Sequence, residues 1–236
     1  MDEIRANVEQ VRDRIARAAE RAGRRADDVL LIGVSKTVDV ARIAEALAAG
    51  LPALGENRVQ EAKEKIAALG RPVSWHLIGH LQTNKVKDAL ALFDLVQSLD
   101  RLELARECDR RGKASGRPVQ ALLQVNVAEE QSKGGFPPDD VPAALETIAR
   151  LEAVRVVGLM AIPPAVERAE DSRRWFRSLR ALAERHALPQ ISMGMSSDFE
   201  VAVEEGATMV RVGTAVFGAR PSRAAVAPMQ PSLERK

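Results

Sequence analysis

Lys36 stands directly after an unbroken apolar run at 29–34 and Ser35. A lysine at the mouth of a parallel sheet is partly desolvated. That lowers its pKa and frees the amine as a nucleophile. Such amines form Schiff bases with carbonyl compounds. Position alone leaves a strand-capping surface lysine equally open.

Two later stretches offer an anion site. Met193-Gly194-Met195-Ser196-Ser197-Asp198 combines backbone amides, a hydroxyl and a helix cap ahead of a helix predicted at 199–205. Gly213-Thr214 follows another apolar run and brings a glycine, which lets the backbone approach an anion, beside a second hydroxyl. Asp198 reads as the N-cap of the coming helix. Ser196, Gly213 and Thr214 read together as phosphate ligands. An amine trap beside a phosphate cradle suits pyridoxal phosphate (PLP). It suits a Schiff-base aldolase acting on a sugar phosphate as well.

The remaining reactive side chains carry less. His76 and His80 are four apart, but Trp75-His76-Leu77-Ile78 reads as a strand, so they share no helix face and no metal site is expected. Glu56 and Asn57 read as pocket residues, with helix capping open for Asn57. Cys108, in a helical pattern, reads as packed, and so do Met160, Met193, Met195, Trp175 and Phe176. Arg21, Arg24 and Arg25 read as a solvated helix end. The 236 residues contain no tyrosine, which excludes any mechanism needing a phenol of this chain.

These residues need a scaffold. Ile4, Val8, Val11 and Ile15 recur on one face of an N-terminal helix at 1–22, which Gly23 ends. Eight short apolar runs then follow, at 29–34, 53–54, 75–78, 95–97, 120–126, 154–160, 191–193 and 209–212. Helical patterns separate them, among others at 40–49, 58–69, 101–111, 141–151 and 169–186. Eight strand-helix units in a chain near the typical length of about 250 residues predict a TIM (β/α)8 barrel. An open doubly wound sheet competes, but its Gly-x-Gly-x-x-Gly turn is replaced by Gly33-Val34-Ser35-Lys36 after the first run. Polar and small residues follow nearly every run, where a barrel keeps its chemistry. One domain is expected over 1–220, with a Pro-containing disordered tail at 221–236.

Composition narrows the partners. Basic and acidic residues number 35 and 33, a net charge of +2, so no electrostatic footprint for nucleic acid or anionic membrane exists. No apolar run reaches the roughly 20 residues of a membrane helix. The charged N-terminus does not read as a signal peptide. One cysteine permits no internal disulfide, and a cytoplasmic location is expected.

The motifs carry a family resemblance. Ile32-Gly33-Val34-Ser35-Lys36-Thr37, Gly55-Glu56-Asn57-Arg58-Val59-Gln60-Glu61 and Trp75-His76-Leu77-Ile78-Gly79-His80-Leu81-Gln82-Thr83-Asn84-Lys85 resemble the pyridoxal phosphate homeostasis proteins. Ser192-Met193-Gly194-Met195-Ser196-Ser197-Asp198 and the run from Arg211 to Arg220 continue the match in family order. The resemblance implies a barrel like the N-terminal domain of alanine racemase. It implies PLP held as an aldimine on Lys36, with Ser196, Gly213 and Thr214 at the phosphate and Arg211 at the pyridine nitrogen. Asn57 and His80 would neighbour the ring, and because the family varies at the His80 position, His80 is not a required acid or base.

An arginine at the pyridine nitrogen stays charged, with a pKa above about 12 in water. It opposes protonation of the ring and makes the ring a poor electron sink. The racemase works with two bases, a lysine and a tyrosine; this chain lacks the tyrosine, and no counterpart of the racemase's C-terminal β-domain is expected. The resulting expectation is a monomeric carrier and buffer of PLP, without substantial turnover, that supplies PLP-dependent apoenzymes. Two alternatives stand beside it. One is a racemase-like enzyme using His76, His80 or Cys108 as second base. The other is the cofactor-free aldolase.

Overall fold

The computed structural model describes residues 2–130 and 133–218. The expected tail at 221–236 lies outside them, as does Arg220. Eight parallel strands close into one barrel in chain order. They are β1 (Leu30–Val34), β2 (Ala53–Glu56), β3 (Ser74–Leu77), β4 (Leu95–Leu99), β5 (Val119–Val125), β6 (Val154–Ala161), β7 (Gln190–Ser192) and β8 (Met209–Val212). The helices are α1 (Asp2–Arg21), α2 (Val40–Ala48), α3 (Val59–Leu69), α4 (Val86–Leu92), α5 (Leu102–Ser115), α6 (Val141–Ala149), α7 (Arg173–Arg185), α8 (Phe199–Glu204) and α9 (Thr214–Phe217). Closure runs through β1 and β8, from Leu30 opposite Met209 to Gly33 opposite Val212. The sheet therefore has no open edge, and the doubly wound alternative is overturned.

Side chains alternate across the barrel wall. Ile32, Ala53, Leu95, Leu122, Met160 and Met209 form a small apolar cluster of their own in the barrel interior. Their sequence neighbours Leu31, Leu54, Val96, Leu123, Leu159 and Val210 belong to the large core between strands and helices. This two-period pattern decides which polar residues at the strand ends reach the mouth.

Element boundaries differ from the sequence reading where side chains pair. β2 continues to Glu56, which is fully buried on the helix side with the Lys65 ammonium 2.5 Å from its Oε1. β4 includes Ser98, whose hydroxyl donates to the Gly79 carbonyl at 2.6 Å. The segment at 169–186 opens as a 3-10 turn, Ala169–Ser172, before α7 begins.

α1 buries Ile4, Val8, Val11 and Ile15 on one face, as its spacing predicts, and packs on α8 and α9. Each large apolar side chain so buried contributes about 1.5–3 kcal/mol. The arginines at its end are not uniformly solvated. Arg24 donates to the Val203 carbonyl at 2.7 Å, a carbonyl at the end of α8 that the Gly206 amide also uses. Arg21 pairs with Glu204 at 2.7 Å, and Arg25 remains exposed. Among the described residues no helix is long and apolar enough to cross a membrane.

Candidate functional site at the barrel mouth

A cavity of about 360 Å³ opens where β1 and β8 end, lined among others by Lys36, Thr37, Arg42, Gly213 and Thr214. The position of Lys36 follows from alternation. Ile32 faces the interior and Ser35 faces α3, where its hydroxyl donates to Glu56 Oε1 at 2.7 Å. Lys36 is half-buried and lines the cavity. Gly213 follows β8, and an added Cβ there would lie at an ordinary 3.6 Å from Val34. Packing inside the chain therefore does not demand a glycine at 213.

Ser196 ties the seventh loop to the eighth. Its Oγ accepts from the Gly213 amide at 3.1 Å and from the Ala215 amide at 3.4 Å. Both contacts use the oxygen, so the hydroxyl proton can be donated to a ligand. Gly194 makes the approach possible, with φ of +89° and an added Cβ 2.5 Å from the Ala202 Cβ. Asp198 does occupy the N-cap position of α8, but its carboxylate does not cap the helix. Oδ1 accepts from the Met195 amide at 2.7 Å, and Oδ2 accepts from the Ser172 hydroxyl at 3.0 Å. The carboxylate thus braces the loop that carries Ser196. Met193 is core, whereas Met195 is exposed, contrary to its expected packing.

Arg211 points into the barrel and is 3% exposed. Its guanidinium donates to Ser192 Oγ at 2.6 Å and to the Ala161 carbonyl at 2.8 Å. Burial pulls its pKa down to about 10, which leaves it charged at neutral pH. Ser192 donates onward to Gln97 Oε1 at 2.6 Å, and Gln97 Nε2 lies 2.8 Å from His76 Nδ1. His76 is buried in β3, and desolvation lowers its pKa to about 4.

Asn57 and His80 sit farther round the mouth and do not line the cavity. Asn57 is half-buried after β2 and caps nothing, since the N-cap of α3 is Arg58. Gly79 lies against it so closely that an added Cβ would come within 2.4 Å of the Asn57 carbonyl oxygen. His80 is 63% exposed, with Nδ1 at 2.8 Å from Asp100 Oδ2. His76 and His80 therefore occupy different environments, one inside the barrel and one in solvent.

Cys108 is buried between α5 and the sheet, and burial pushes its thiol up to about 12. Phe176 is core as expected, but Trp175 is half-buried beneath the Arg174 guanidinium. The structure thus brings Lys36, Gly213 and Thr214 to one cavity, links Ser196 to it, and holds Arg211 inside the adjoining barrel. The sequence reading missed Ser192, Gln97, Lys65 and Glu61. The last two carry a legible signal, their (i, i+4) spacing on the helix that follows Glu56.

Residues 2–221 match the family profile described as alanine racemase, N-terminal domain. A protein of Aquifex aeolicus named pyridoxal phosphate homeostasis protein is 46% identical over 220 residues, 90% of this chain and 96% of the relative. Among solved structures, an unknown protein from Bifidobacterium adolescentis superposes with a TM-score of 0.87 at 37% identity, covering 91% of this chain and 94% of that one. PipY of Synechococcus elongatus PCC7942, solved with PLP bound, has a TM-score of 0.74 at 40% identity, covering 81% and 93%.

Proposed function

Because the chain belongs to the alanine racemase N-terminal domain family, and within it to the pyridoxal phosphate homeostasis proteins, we propose that it binds pyridoxal 5′-phosphate and carries or buffers it without substantial turnover of its own. The observation that carries this reading is the shared cavity of Lys36, Gly213 and Thr214 at the C-terminal mouth of the barrel. The residues fit the cofactor. A half-buried primary amine faces the same space as a glycine that packing does not require and a threonine hydroxyl.

When bound, the cofactor would supply an aldehyde group to the Lys36 amine, which would hold it. Ser196, Gly213 and Thr214 would hold the phosphate. The Ser196 hydroxyl proton is available for that, because the Gly213 and Ala215 amides engage only its oxygen. Arg211 would face the pyridine nitrogen with a fixed positive charge and so oppose a proton there. Asn57 and His80 would neighbour the ring. Residues 1–220 would form the one domain that does this.

The proposed lack of turnover is supported by the state of the groups that could act as a second base. The chain has no phenol. Cys108 lies in the helix layer with its thiol pushed up to about 12. His76 is engaged at Nδ1 by Gln97, and His80 stands in solvent. Recipient PLP-dependent apoenzymes, a monomeric state and a cytoplasmic location complete the proposal, with no role for nucleic acid, membrane or metal.

Absorption of the purified protein with and without added PLP tests the binding. A visible band is expected that borohydride bleaches as it fixes the cofactor on Lys36, and a protein that PLP leaves colourless overturns the reading. Incubation of the loaded protein with L-alanine in deuterated water tests the carrier role. Steady α-proton exchange at an enzyme's rate sinks it.

A further inference from the structure

Behind the cavity, on the helix side of the barrel wall, a second lysine is buried. Lys65 on α3 is 7% exposed overall, and the Glu56 side chain beside it is fully buried. The Lys65 ammonium donates to the Ser35 carbonyl at 2.6 Å and to Glu56 Oε1 at 2.5 Å. It also lies 3.7 Å from Glu61 Oε2, one helical turn earlier. The same Glu61 oxygen accepts the Thr37 amide at 3.2 Å. The two residues that flank Lys36 in the chain are therefore held by two side chains of one helix face.

That arrangement answers a local problem. β1 ends at Val34, and Ser35 makes the last ladder-like bond, from its amide to the Gly55 carbonyl. Thr37 has φ of +62°, a left-handed conformation that a β-branched residue adopts only when its surroundings hold it. The Val38 amide closes the turn by donating to the Ser35 carbonyl at 2.9 Å, and α3 holds that carbonyl and the Thr37 amide from outside. A buried ion pair is a costly way to fill space, and apolar residues of similar size would pack there as well. What the pair adds is direction, because a carbonyl and an amide on either side of Lys36 are tied to fixed charges.

We propose that Lys65, with Glu56 and Glu61, is a positioning residue that fixes the Ser35–Thr37 turn and so aims the Lys36 amine into the cavity. The proposal rests on the cofactor reading for the role of Lys36. Its own content, a turn held from α3, is measurable without cofactor. A misplacement of about 1 Å in a reacting group is enough to slow its reaction roughly 100-fold.

The test compares wild type with Lys65→Met, Lys65→Arg and Glu61→Gln. Each is assayed in two ways, by Thr37 amide hydrogen exchange without cofactor and by the rate of PLP uptake at Lys36. In Lys65→Met, exchange at Thr37 is expected to rise about 10-fold or more as the turn opens locally. Uptake at Lys36 is expected to slow by about 10-fold or more. Glu61→Gln shifts both in the same direction by a smaller factor, and Lys65→Arg restores most of the uptake rate. A folded Lys65→Met protein with unchanged exchange and unchanged uptake overturns the proposal. If Lys65→Met does not fold, Glu61→Gln decides it by the same two measurements, because it leaves the buried pair intact. A wild type that takes up no PLP at Lys36 overturns the functional reading instead, and exchange at Thr37 still decides whether α3 holds the turn.

Discussion

Arg211 on β8 and His76 on β3 are the two ends of one hydrogen-bond chain inside the barrel. Arg211 donates to Ser192 Oγ at 2.6 Å, Ser192 donates to Gln97 Oε1 at 2.6 Å, and Gln97 Nε2 reaches His76 Nδ1 at 2.8 Å. Every donor in the chain points away from Arg211. His76 Nδ1 is therefore the final acceptor, which requires the neutral ring. Among the described residues the guanidinium hydrogen-bonds only neutral groups, the Ser192 hydroxyl and the Ala161 carbonyl. The cation is satisfied by dipoles, and its N–H groups are held in fixed directions.

The first prediction follows from His76. Its folded pKa is lowered from 6.5 to about 4 by burial. Between those values the unfolded chain takes up a proton that the folded protein refuses, so stability falls as pH falls through this window. The width of the window corresponds to about 3 kcal/mol. Urea titrations from pH 7 to pH 4 measure it. His76→Gln should flatten the slope, and an unchanged slope removes His76 as its cause.

Lys36→Ala should abolish covalent retention of PLP while leaving the fold intact. Lys36 is half-buried on a turn beyond the end of β1. Its loss should change stability by no more than about 0.5 kcal/mol. Borohydride reduction and peptide mapping check the chemistry, and thermal melting checks the fold. Label on another lysine in the wild type would overturn the assignment.

Ser196→Ala removes one acceptor from two amides, Gly213 and Ala215. It should cost about 1–3 kcal/mol of stability and weaken PLP binding as well, since both loops lose their tie. Thr214→Val, on the exposed side of the cavity, should leave stability unchanged. It should weaken binding by about 1–2 kcal/mol, the loss of one hydrogen bond to a charged acceptor. Equilibrium denaturation and PLP titration separate the two effects.

Asp198→Ala tests the brace under the seventh loop. The carboxylate is 5% exposed and serves the Met195 amide and the Ser172 hydroxyl. Removing it strands two donors and should cost about 2–4 kcal/mol. Denaturation midpoints measure this. A cost below that of an exposed helix cap would show that the brace carries no weight.

Much of the scaffold was legible in the residues. The eight apolar runs mark the barrel strands, which are buried on both faces, and Ile4, Val8, Val11 and Ile15 carry the face of α1. The boundaries that went astray, at Glu56 and Ser98, are places where a polar side chain lies buried in a strand because a partner elsewhere satisfies it. A single-residue polarity scale cannot register such a partner. Asp198 illustrates the same limit. Its cap position is visible locally, yet its carboxylate is claimed by a serine 26 residues away.

What the sequence determined by itself were the residue types and local periods: an amine after the first run, hydroxyls and glycines after the seventh and eighth, and the absence of a phenol. Local periods follow from backbone geometry, which is the same wherever the chain is read. Only the tertiary structure decided which of those residues meet. Closure of β1 on β8 brings Lys36 beside Gly213, residues far apart in the chain. It also encloses Arg211 and His76 in one interior, and it sets Lys65 behind the turn that carries Lys36. These juxtapositions depend on the register of strands around a closed barrel, a long-range constraint that no local pattern encodes.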